Sequence, residues 1–258
     1  MTTTAPALNE QIVLVTGGAR GLGKAISTAF LNAGAKVVIN YRSSAAAAKE
    51  LAAQFPGQAL AAQADVREPE QLAAMVAAAK THFGAPITVL VNNALADFSF
   101  NGDARPKADE LTAQHLSDQF VGSVLAPVAA IQAVLPGFRA AGHGRIINIG
   151  TNLFQNPVVP YHDYTATKAA LLSLTRTFAD DLGPENINVN MISGGLLRTT
   201  DASASTPEEV FDYIASTTPL RRVTTPAELA DVALFFASPL SRGVTGQNLI
   251  VDGGLVKG

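Results

Sequence analysis

The chain of 258 residues contains no cysteine and only four histidines. Without cysteine, disulfide bonds and thiolate metal sites cannot form, and this composition fits the reducing cytoplasm, where we expect the protein to act. The four histidines form no clustered pair in the sequence, so we predict that the protein holds no metal. Any catalysis is therefore expected to depend on side chains other than cysteine and on no metal ion.

Charge is also scarce, because charged residues make up 15% of the chain and the formal net charge is -3. The usual share is about 25%. Binding to nucleic acid requires a concentrated basic patch, so we expect no nucleic-acid partner. Residues 1–9 are small and polar and lack the basic and apolar regions of a signal peptide. We predict a flexible amino terminus over residues 1–10.

Residues 119–138 carry no charge and could be mistaken for a membrane span. The segment is interrupted by Gly122, Pro127 and Pro136, which favours a helix that is buried or faces another subunit. We therefore expect no membrane partner.

Apolar runs alternate with helical segments along the whole chain. The first run, residues 12–15, is continuously apolar and precedes a glycine-rich turn, which is typical of a strand buried on both faces in a parallel sheet. Further strands are predicted at 36–41, 59–64, 87–91, 145–150, 187–192 and 248–251. This rhythm indicates right-handed βαβ units. We predict one α/β domain over residues 1–258, a Rossmann-like doubly wound parallel sheet flanked by helices on both faces.

Two segments break this rhythm and are predicted to be substrate loops. Residues 97–114 are polar and resemble an inserted surface loop. Residues 199–213 are rich in serine, threonine and alanine, and we predict that they are mobile.

A glycine-rich turn over residues 16–23 joins the first strand to the first helix. A helix start offers free N–H groups and a positive dipole end to an anion, and glycine permits positive φ and close approach. The spacing of Gly17, Gly21 and Gly23 differs from the common G-x-G-x-x-G fingerprint. Many strand–helix turns need glycine for structural reasons alone, but the place of this turn after the first strand favours a dinucleotide phosphate site.

The residues at the end of the second strand bear on which dinucleotide binds. An NAD site usually carries an acid there, whereas this chain has Tyr41, Arg42 and Ser43. Together with Arg20, these residues can hold a 2′-phosphate through charge-assisted hydrogen bonds. Either arginine alone fits a solvated surface charge equally well, but the pair without an acid favours NADP, in its reduced form NADPH.

Tyr164 and Lys168 are four positions apart, so on a helix they lie on one face, one turn apart. A phenol has a reference pKa of about 10, and a nearby ammonium favours the phenolate and lowers that pKa. The pair then forms a proton donor and acceptor for use near neutral pH. The spacing is common, so an exposed helix pair is the alternative.

These motifs together resemble those of the short-chain dehydrogenase/reductase family, over residues 11–254. The resemblance implies hydride transfer between a nicotinamide and a carbonyl carbon, with the catalytic groups Thr151, Tyr164 and Lys168. The cofactor contacts that it implies are Gly17, Ala19, Arg20, Gly21, Leu22, Gly23, Tyr41, Arg42, Ser43, Asp65, Val66, Asn92, Asn93, Ala94, Tyr164, Lys168, Gly195 and Thr199.

The chain departs from the family pattern at several of these places. Leu95 replaces a glycine, Gly194 replaces a proline, and Thr151 stands where the family has serine, which adds a methyl group and stiffens χ1. Ser123 aligns with an asparagine that often completes the family's proton relay. Whether the relay is intact stays open.

Within the family, residues 37–43 and 244–254 resemble 3-oxoacyl-[acyl-carrier-protein] reductases most. This resemblance implies NADPH-dependent reduction of a carbonyl in a small molecule or an acyl thioester, as in fatty acid biosynthesis. Family members are commonly homotetramers or homodimers, packed through helices that correspond here to residues 119–138 and 164–182.

Three alternatives stay open. Tyr161 and Lys168 are seven positions apart, which is the spacing of the family's enoyl-thioester reductases, although Tyr161 also fits an aromatic pocket wall. Residues 156–164, with the inserted loop, resemble pteridine reductases. The third alternative is an NADP-binding sensor or subunit with weak catalysis.

Overall fold

The computed structural model describes residues 6–95, 98, 100, 104–198, 200, 203, 204 and 206–257. In this part of the chain the strands form one fully parallel sheet. They are β1 (Ile12–Val15), β2 (Lys36–Tyr41), β3 (Ala59–Gln63), β4 (Val89–Asn92), β5 (Gly144–Thr151), β6 (Ile187–Gly194) and β7 (Asn248–Val251). The order across the sheet is β3-β2-β1-β4-β5-β6-β7.

Helices connect successive strands. They are α1 (Gly21–Asn32), α2 (Ala45–Ala53), α3 (Pro69–Phe83), α4 (Ala113–Phe120), α5 (Ala126–Ala141), α6 (His162–Leu182), α7 (Glu208–Thr217) and α8 (Pro226–Ala237). Short 3₁₀ turns include Leu8–Glu10, within the amino-terminal segment that the sequence predicts to be flexible.

Two hydrophobic cores lie on opposite faces of the sheet, because side chains alternate along each strand. In β1, Val13 and Val15 belong to the core formed with α1 and α8, whereas Ile12 and Leu14 belong to the core formed with α3, α5 and α6. Since both faces are covered, the strand needs apolar residues at every position. The predicted doubly wound α/β fold is confirmed.

The order of the strands reverses at β1, which pairs with β2 on one side and with β4 on the other. The connections from β1 and β4 therefore leave the sheet in opposite directions and open a crevice at its carboxyl edge. In open α/β sheets, ligands bind at this switch point. The glycine-rich turn after β1 lies at this place.

The uncharged segment is part of one helical stretch, Ala113–Ala141, with a π-helical turn at Val121–Leu125 between α4 and α5. Length and composition alone would allow it to cross a membrane, a test that core helices of soluble proteins also pass. Here Ala130, Val134 and Phe138 are buried in the core under the sheet. The prediction of a buried helix is confirmed for α5.

The prediction of a mobile loop over residues 199–213 is wrong in its second half, where α7 begins at Glu208. Acidic side chains in the first turn stabilise this helix through their interaction with the positive end of its dipole, and Phe211 is buried. The other predicted loop, 97–114, ends at α4, whose amino terminus is capped by the Thr112 side chain.

Candidate active site

A cavity of about 1250 Å³ lies at the carboxyl edge of the sheet. Single small ligands usually occupy about 300–1000 Å³, so this cavity has room for a dinucleotide and a substrate together. Its lining includes the predicted site residues Gly17, Ala19, Arg20, Gly21, Leu22, Gly23, Tyr41, Arg42, Ser43, Asp65, Val66, Asn93, Ala94, Thr151, Tyr164, Lys168 and Gly195.

Two predicted cofactor residues are placed differently. Asn92 lies outside this cavity, because its side chain is buried and donates a hydrogen bond to Asn148 Oδ1 at 2.9 Å. Asn148 in turn donates to Thr175 Oγ1, so Asn92 joins β4 and β5 to α6. Its role in this structure is to support the sheet. Thr199 lies outside the described residues.

The glycine-rich turn uses its glycines in two ways. Gly17 and Gly21 have φ of +62° and +51°, which residues with a side chain rarely adopt. A β-carbon at Gly23 would lie 2.2 Å from the carbonyl oxygen of Gly17, so this position requires close approach of two backbone segments. The turn therefore brings the amino terminus of α1, with its free N–H groups, to the cavity, as a pyrophosphate requires.

Asn40 holds this turn in place and was not among the predicted functional residues. Its side-chain oxygen accepts a hydrogen bond from Gly17 N at 3.1 Å, and its amide group donates to Ala64 O at 3.0 Å. Asn40 is almost fully buried. The sequence signal was a single amide among the apolar residues of β2.

The turns after β1 and β4 are tied together through Thr16. Its hydroxyl accepts hydrogen bonds from Asn93 N at 2.9 Å and Ala94 N at 3.0 Å. Asn93 also donates from its side chain to Thr16 O. The two edges of the crevice therefore form one hydrogen-bonded unit.

Charged groups collect at the end of the cavity near β2 and β3. Asp65 forms an ion pair with Arg67 at 2.6 Å, and this hydrogen bond lowers the pKa of the Asp65 carboxyl. The positive charge of Arg42 lowers the same pKa further. Asp65 is therefore ionised at neutral pH, near Arg42, which is one of the arginines predicted to bind phosphate.

Thr151 and Tyr164 meet at the centre of the cavity. Thr151 is the last residue of β5, and Tyr164 lies in the first turn of α6. The Thr151 hydroxyl lowers the pKa of the Tyr164 phenol, because a hydroxyl donor favours the phenolate. Lys168, one turn further along α6, has its Nζ 5.7 Å from the centre of the Tyr164 ring.

The structure contradicts the prediction that Lys168 lowers the pKa of Tyr164. Burial raises the pKa of Tyr164 to about 12, and the effect of the Thr151 hydroxyl, which lowers this pKa, is smaller. Lys168 Nζ instead donates a hydrogen bond to Ile149 O at 2.7 Å. The phenol is therefore protonated at neutral pH and can act as a proton donor.

Burial lowers the pKa of Lys168 to about 8. Below about pH 8 the folded protein carries a buried ammonium beside the phenol, and above it the amine is neutral. We expect kcat/KM for a reaction in which Tyr164 donates the proton to be constant from about pH 6 to about pH 8 and to fall at higher pH, because the positive charge is lost. A profile measured from pH 6 to about pH 10 checks this, and a constant value throughout would contradict it.

The contribution of Lys168 to stability has the opposite sign to its effect on activity. The unfolded chain keeps the proton up to about pH 10.5, whereas the folded protein releases it near pH 8. Between these values the unfolded state binds more protons, so this group adds stability as pH rises. A fall in activity with no fall in melting temperature would separate the two effects.

Four aromatic rings meet at the substrate end of the cavity. The Phe98 ring stacks on Tyr164 with centres 4.8 Å apart, and it meets the Tyr161 ring edge to face at 5.3 Å. Phe100 contacts both tyrosines. The described lining residues at this end are uncharged: Leu95, Phe98, Phe100, Leu153, Asn156, Val158, Val159, Tyr161, Leu196, Leu197, Val210, Ile214 and Leu255. Tyr161 therefore forms part of an aromatic wall.

The carboxyl-terminal segment also reaches this wall. Asp252 accepts hydrogen bonds from Asn152 Nδ2 at 2.9 Å, Gly254 N at 3.0 Å and Val256 N at 3.0 Å. These bonds hold the segment against Asn152, and Leu255 lines the cavity. The contact joins residues 100 positions apart, and local sequence patterns did not reveal it.

The departures from the family pattern have distinct surroundings. Leu95 lines the cavity, whereas Ser123 is buried in the π-helical turn and donates to Gln119 Oε1 at 3.4 Å. A β-carbon at Gly194 would lie 2.7 Å from Leu229, so close packing of α8 against β6 favours glycine there.

A family model described as Enoyl-(Acyl carrier protein) reductase matches residues 17–256. The chain belongs to the short-chain dehydrogenase/reductase family. It is therefore an oxidoreductase of a family that uses a nicotinamide cofactor, and the glycine-rich turn at the helix start fits the dinucleotide.

Several relatives in this family match almost the whole chain. The 7alpha-hydroxysteroid dehydrogenase of Escherichia coli (strain K12) is 31% identical over 252 residues, which cover 97% of this chain and 96% of the relative. The 3-alpha-(or 20-beta)-hydroxysteroid dehydrogenase of Mycobacterium tuberculosis (strain ATCC 25618 / H37Rv) is 36% identical over 250 residues, with 96% and 90% covered. A short-chain type dehydrogenase/reductase of Picea abies is 32% identical over 258 residues, with 96% and 93% covered.

Proposed function

We propose that this protein is an NADPH-dependent reductase that converts a carbonyl to an alcohol in the cytoplasm. Its substrate class is the 3-oxoacyl thioester, as in the 3-oxoacyl-[acyl-carrier-protein] reductases of fatty acid biosynthesis. The observation that carries the proposal is that Thr151, Tyr164 and Lys168 line one cavity, which joins a glycine-rich phosphate cradle to an uncharged pocket.

When bound, the reduced nicotinamide supplies the hydride. Tyr164 donates its proton to the carbonyl oxygen as negative charge develops there, and Thr151 stabilises that charge with a second hydrogen bond. The Lys168 ammonium, held by Ile149 O, adds a positive charge behind the phenol. In the reverse reaction the same groups accept the proton from the alcohol.

Arg20 and Arg42 support NADP over NAD, because both line the cavity and a guanidinium binds phosphate through paired hydrogen bonds. We expect Arg42→Asp to shift the ratio of kcat/KM values from NADPH toward NADH by about 100-fold, since removing a charged contact and adding a like charge each cost about tenfold. Steady-state kinetics with both cofactors measure the shift. Arg176→Asp, on the outer part of α6, is the matched control, and an unchanged ratio in Arg42→Asp would contradict the assignment.

The uncharged substrate end fits an acyl chain, but the aromatic wall gives specific support to a second candidate. Stacked rings such as Phe98 and Tyr164 suit a flat or fused-ring ketone, and two of the relatives are named hydroxysteroid dehydrogenases. A ring-containing carbonyl, including a dihydropterin, is therefore the alternative substrate class for the same reaction.

A substrate panel tests the proposal. Loss of NADPH absorbance is followed with 3-oxoacyl thioesters, enoyl thioesters, ketosteroids and dihydropterins at equal concentration. We expect the highest kcat/KM for a 3-oxoacyl thioester. A preference for ketosteroids or dihydropterins would favour the second candidate, and NADPH binding without turnover of any carbonyl would favour a sensor or subunit.

We also propose that the protein forms a homotetramer or homodimer through α4 and the π-helical turn that follows it. The exposed side chains of Leu116, Phe120, Val121 and Leu125 make an apolar strip there, of the kind that a second copy covers. We expect Leu125→Asp to lower the molar mass measured by light scattering, whereas Leu240→Asp, at a more exposed leucine elsewhere, should leave it unchanged. A monomeric wild-type protein would contradict this assembly.

A further inference from the structure

One ion pair connects the substrate loop to the catalytic helix. Arg105 comes from the 97–114 segment, and Asp163 immediately precedes Tyr164 on α6. The two side chains form a salt bridge in which Arg105 is 16% exposed and Asp163 is 8% exposed. A largely buried carboxylate requires a partner charge, so the loop is held on the helix by a bond that is costly to break.

The same arginine supports the aromatic wall. The Arg105 guanidinium lies over the Phe98 ring, 4.4 Å from its centre, and Phe98 stacks on Tyr164. A guanidinium over a ring face is an attractive contact, stronger where it is shielded from water. Phe98 lines the cavity, whereas Arg105 and Asp163 stand behind it.

Asp163 also contacts the backbone of the catalytic residue. Its Oδ1 accepts a hydrogen bond from Tyr164 N at 2.9 Å, while its Oδ2 binds Arg105. The carboxylate lies in the first turn of α6, where the helix dipole favours negative charge. One side chain thus joins the loop, the helix start and the residue that carries the phenol.

We propose that Arg105 and Asp163 are positioning residues that hold Phe98 against Tyr164 and thereby limit the width of the substrate entrance. This inference rests on the proposed carbonyl reduction at Tyr164. With Phe98 held there, a slender acyl ketone reaches the phenol oxygen past the ring, whereas a fused ring can stack on the wall only after Phe98 moves away. Neither residue touches the reacting atoms, so each acts through Phe98.

The first test compares kinetics of a slender 3-oxoacyl thioester and a bulky ketosteroid. We expect Arg105→Met to raise KM for the slender substrate by about threefold, to leave its kcat within about twofold, and to raise kcat/KM for the bulky substrate by about threefold. The bulky-to-slender ratio of kcat/KM should therefore rise by about tenfold. Phe98→Ala should reproduce the change in ratio. Arg105→Lys keeps the charge and should restore most of the selectivity.

A double-variant cycle shows whether the two residues act as one unit. If they do, Arg105→Met combined with Asp163→Asn loses no more selectivity than either change alone. Arg139→Met is the control, because it removes the exposed Arg139–Glu185 pair far from the cavity. Additive effects in the cycle, or an equal change of ratio in Arg139→Met, would overturn the proposal.

A second measurement does not depend on turnover. We expect Arg105→Met to increase the rate of amide hydrogen exchange in residues 104–112 by about tenfold, with no change in α6 beyond its first turn. Unchanged exchange in Arg105→Met would overturn the positioning role even if the enzyme reduces carbonyls. If Arg105→Met exchanges faster than wild type but wild type reduces no carbonyl, the loop contact stands and the proposed function is wrong. Arg105→Met carries the test if Asp163→Asn does not fold.

Discussion

Replacing Tyr164 with phenylalanine is expected to lower kcat for carbonyl reduction by about 1000-fold and to leave NADPH affinity within about twofold. The change removes the proton donor and the partner of the Thr151 hydroxyl, but it keeps the ring that stacks on Phe98. Stopped-flow absorbance gives the rate, and a fluorescence titration gives the affinity.

Tyr161→Phe is the matched control for this result, because the two tyrosine rings lie 6.4 Å apart in the same wall and both are buried. Removing the Tyr161 hydroxyl should change ketone reduction by less than about threefold. Equal activity of Tyr164→Phe and wild type would exclude Tyr164 as the acid. A large loss in Tyr161→Phe on an enoyl substrate alone would instead favour the enoyl-thioester alternative.

Replacing Gly23 with alanine is expected to weaken dinucleotide binding by about 100-fold, which is the scale of overpacking a close contact. The added β-carbon would lie 2.2 Å from Gly17 O and 2.6 Å from Asn93 Nδ2. The backbone of the phosphate cradle must move to relieve this contact. Fluorescence titration with NADPH measures the loss.

Gly183→Ala provides the control for this substitution. A β-carbon at Gly183 meets no atom within 4 Å, and the backbone there has φ of -54°, which alanine adopts readily. We expect Gly183→Ala to bind NADPH like wild type. If Gly23→Ala also binds NADPH like wild type and keeps its melting temperature, the close approach does not shape the cofactor site.

The sheet could be predicted because its information is local. The continuous apolar run of β1 requires burial on both faces, and the turn after it needs glycine at Gly17 and Gly23 for reasons of backbone conformation and space. The start of α8 is also specified locally, by a capping box between Thr225 and Glu228 and by Pro226 in the first turn. Each of these signals lies within a few residues of the feature that it specifies.

The contacts that set the site depended on tertiary structure. The pairing of Arg105 with Asp163 joins residues 58 positions apart, and neither residue type indicates its partner. The effect of Lys168 on the pKa of Tyr164 was predicted wrongly, because the Lys168 ammonium donates its hydrogen bond to Ile149 O of β5. Asn92 matched a family motif, but its side chain points to Asn148 and away from the crevice.

The composition of the cavity wall also gives the protein a built-in optical probe. The chain has no tryptophan and four tyrosines, of which Tyr41, Tyr161 and Tyr164 line the cavity. Intrinsic tyrosine fluorescence therefore originates mainly from residues that line the cavity. Quenching of that emission can follow cofactor entry and movement of the aromatic wall in the unlabelled protein.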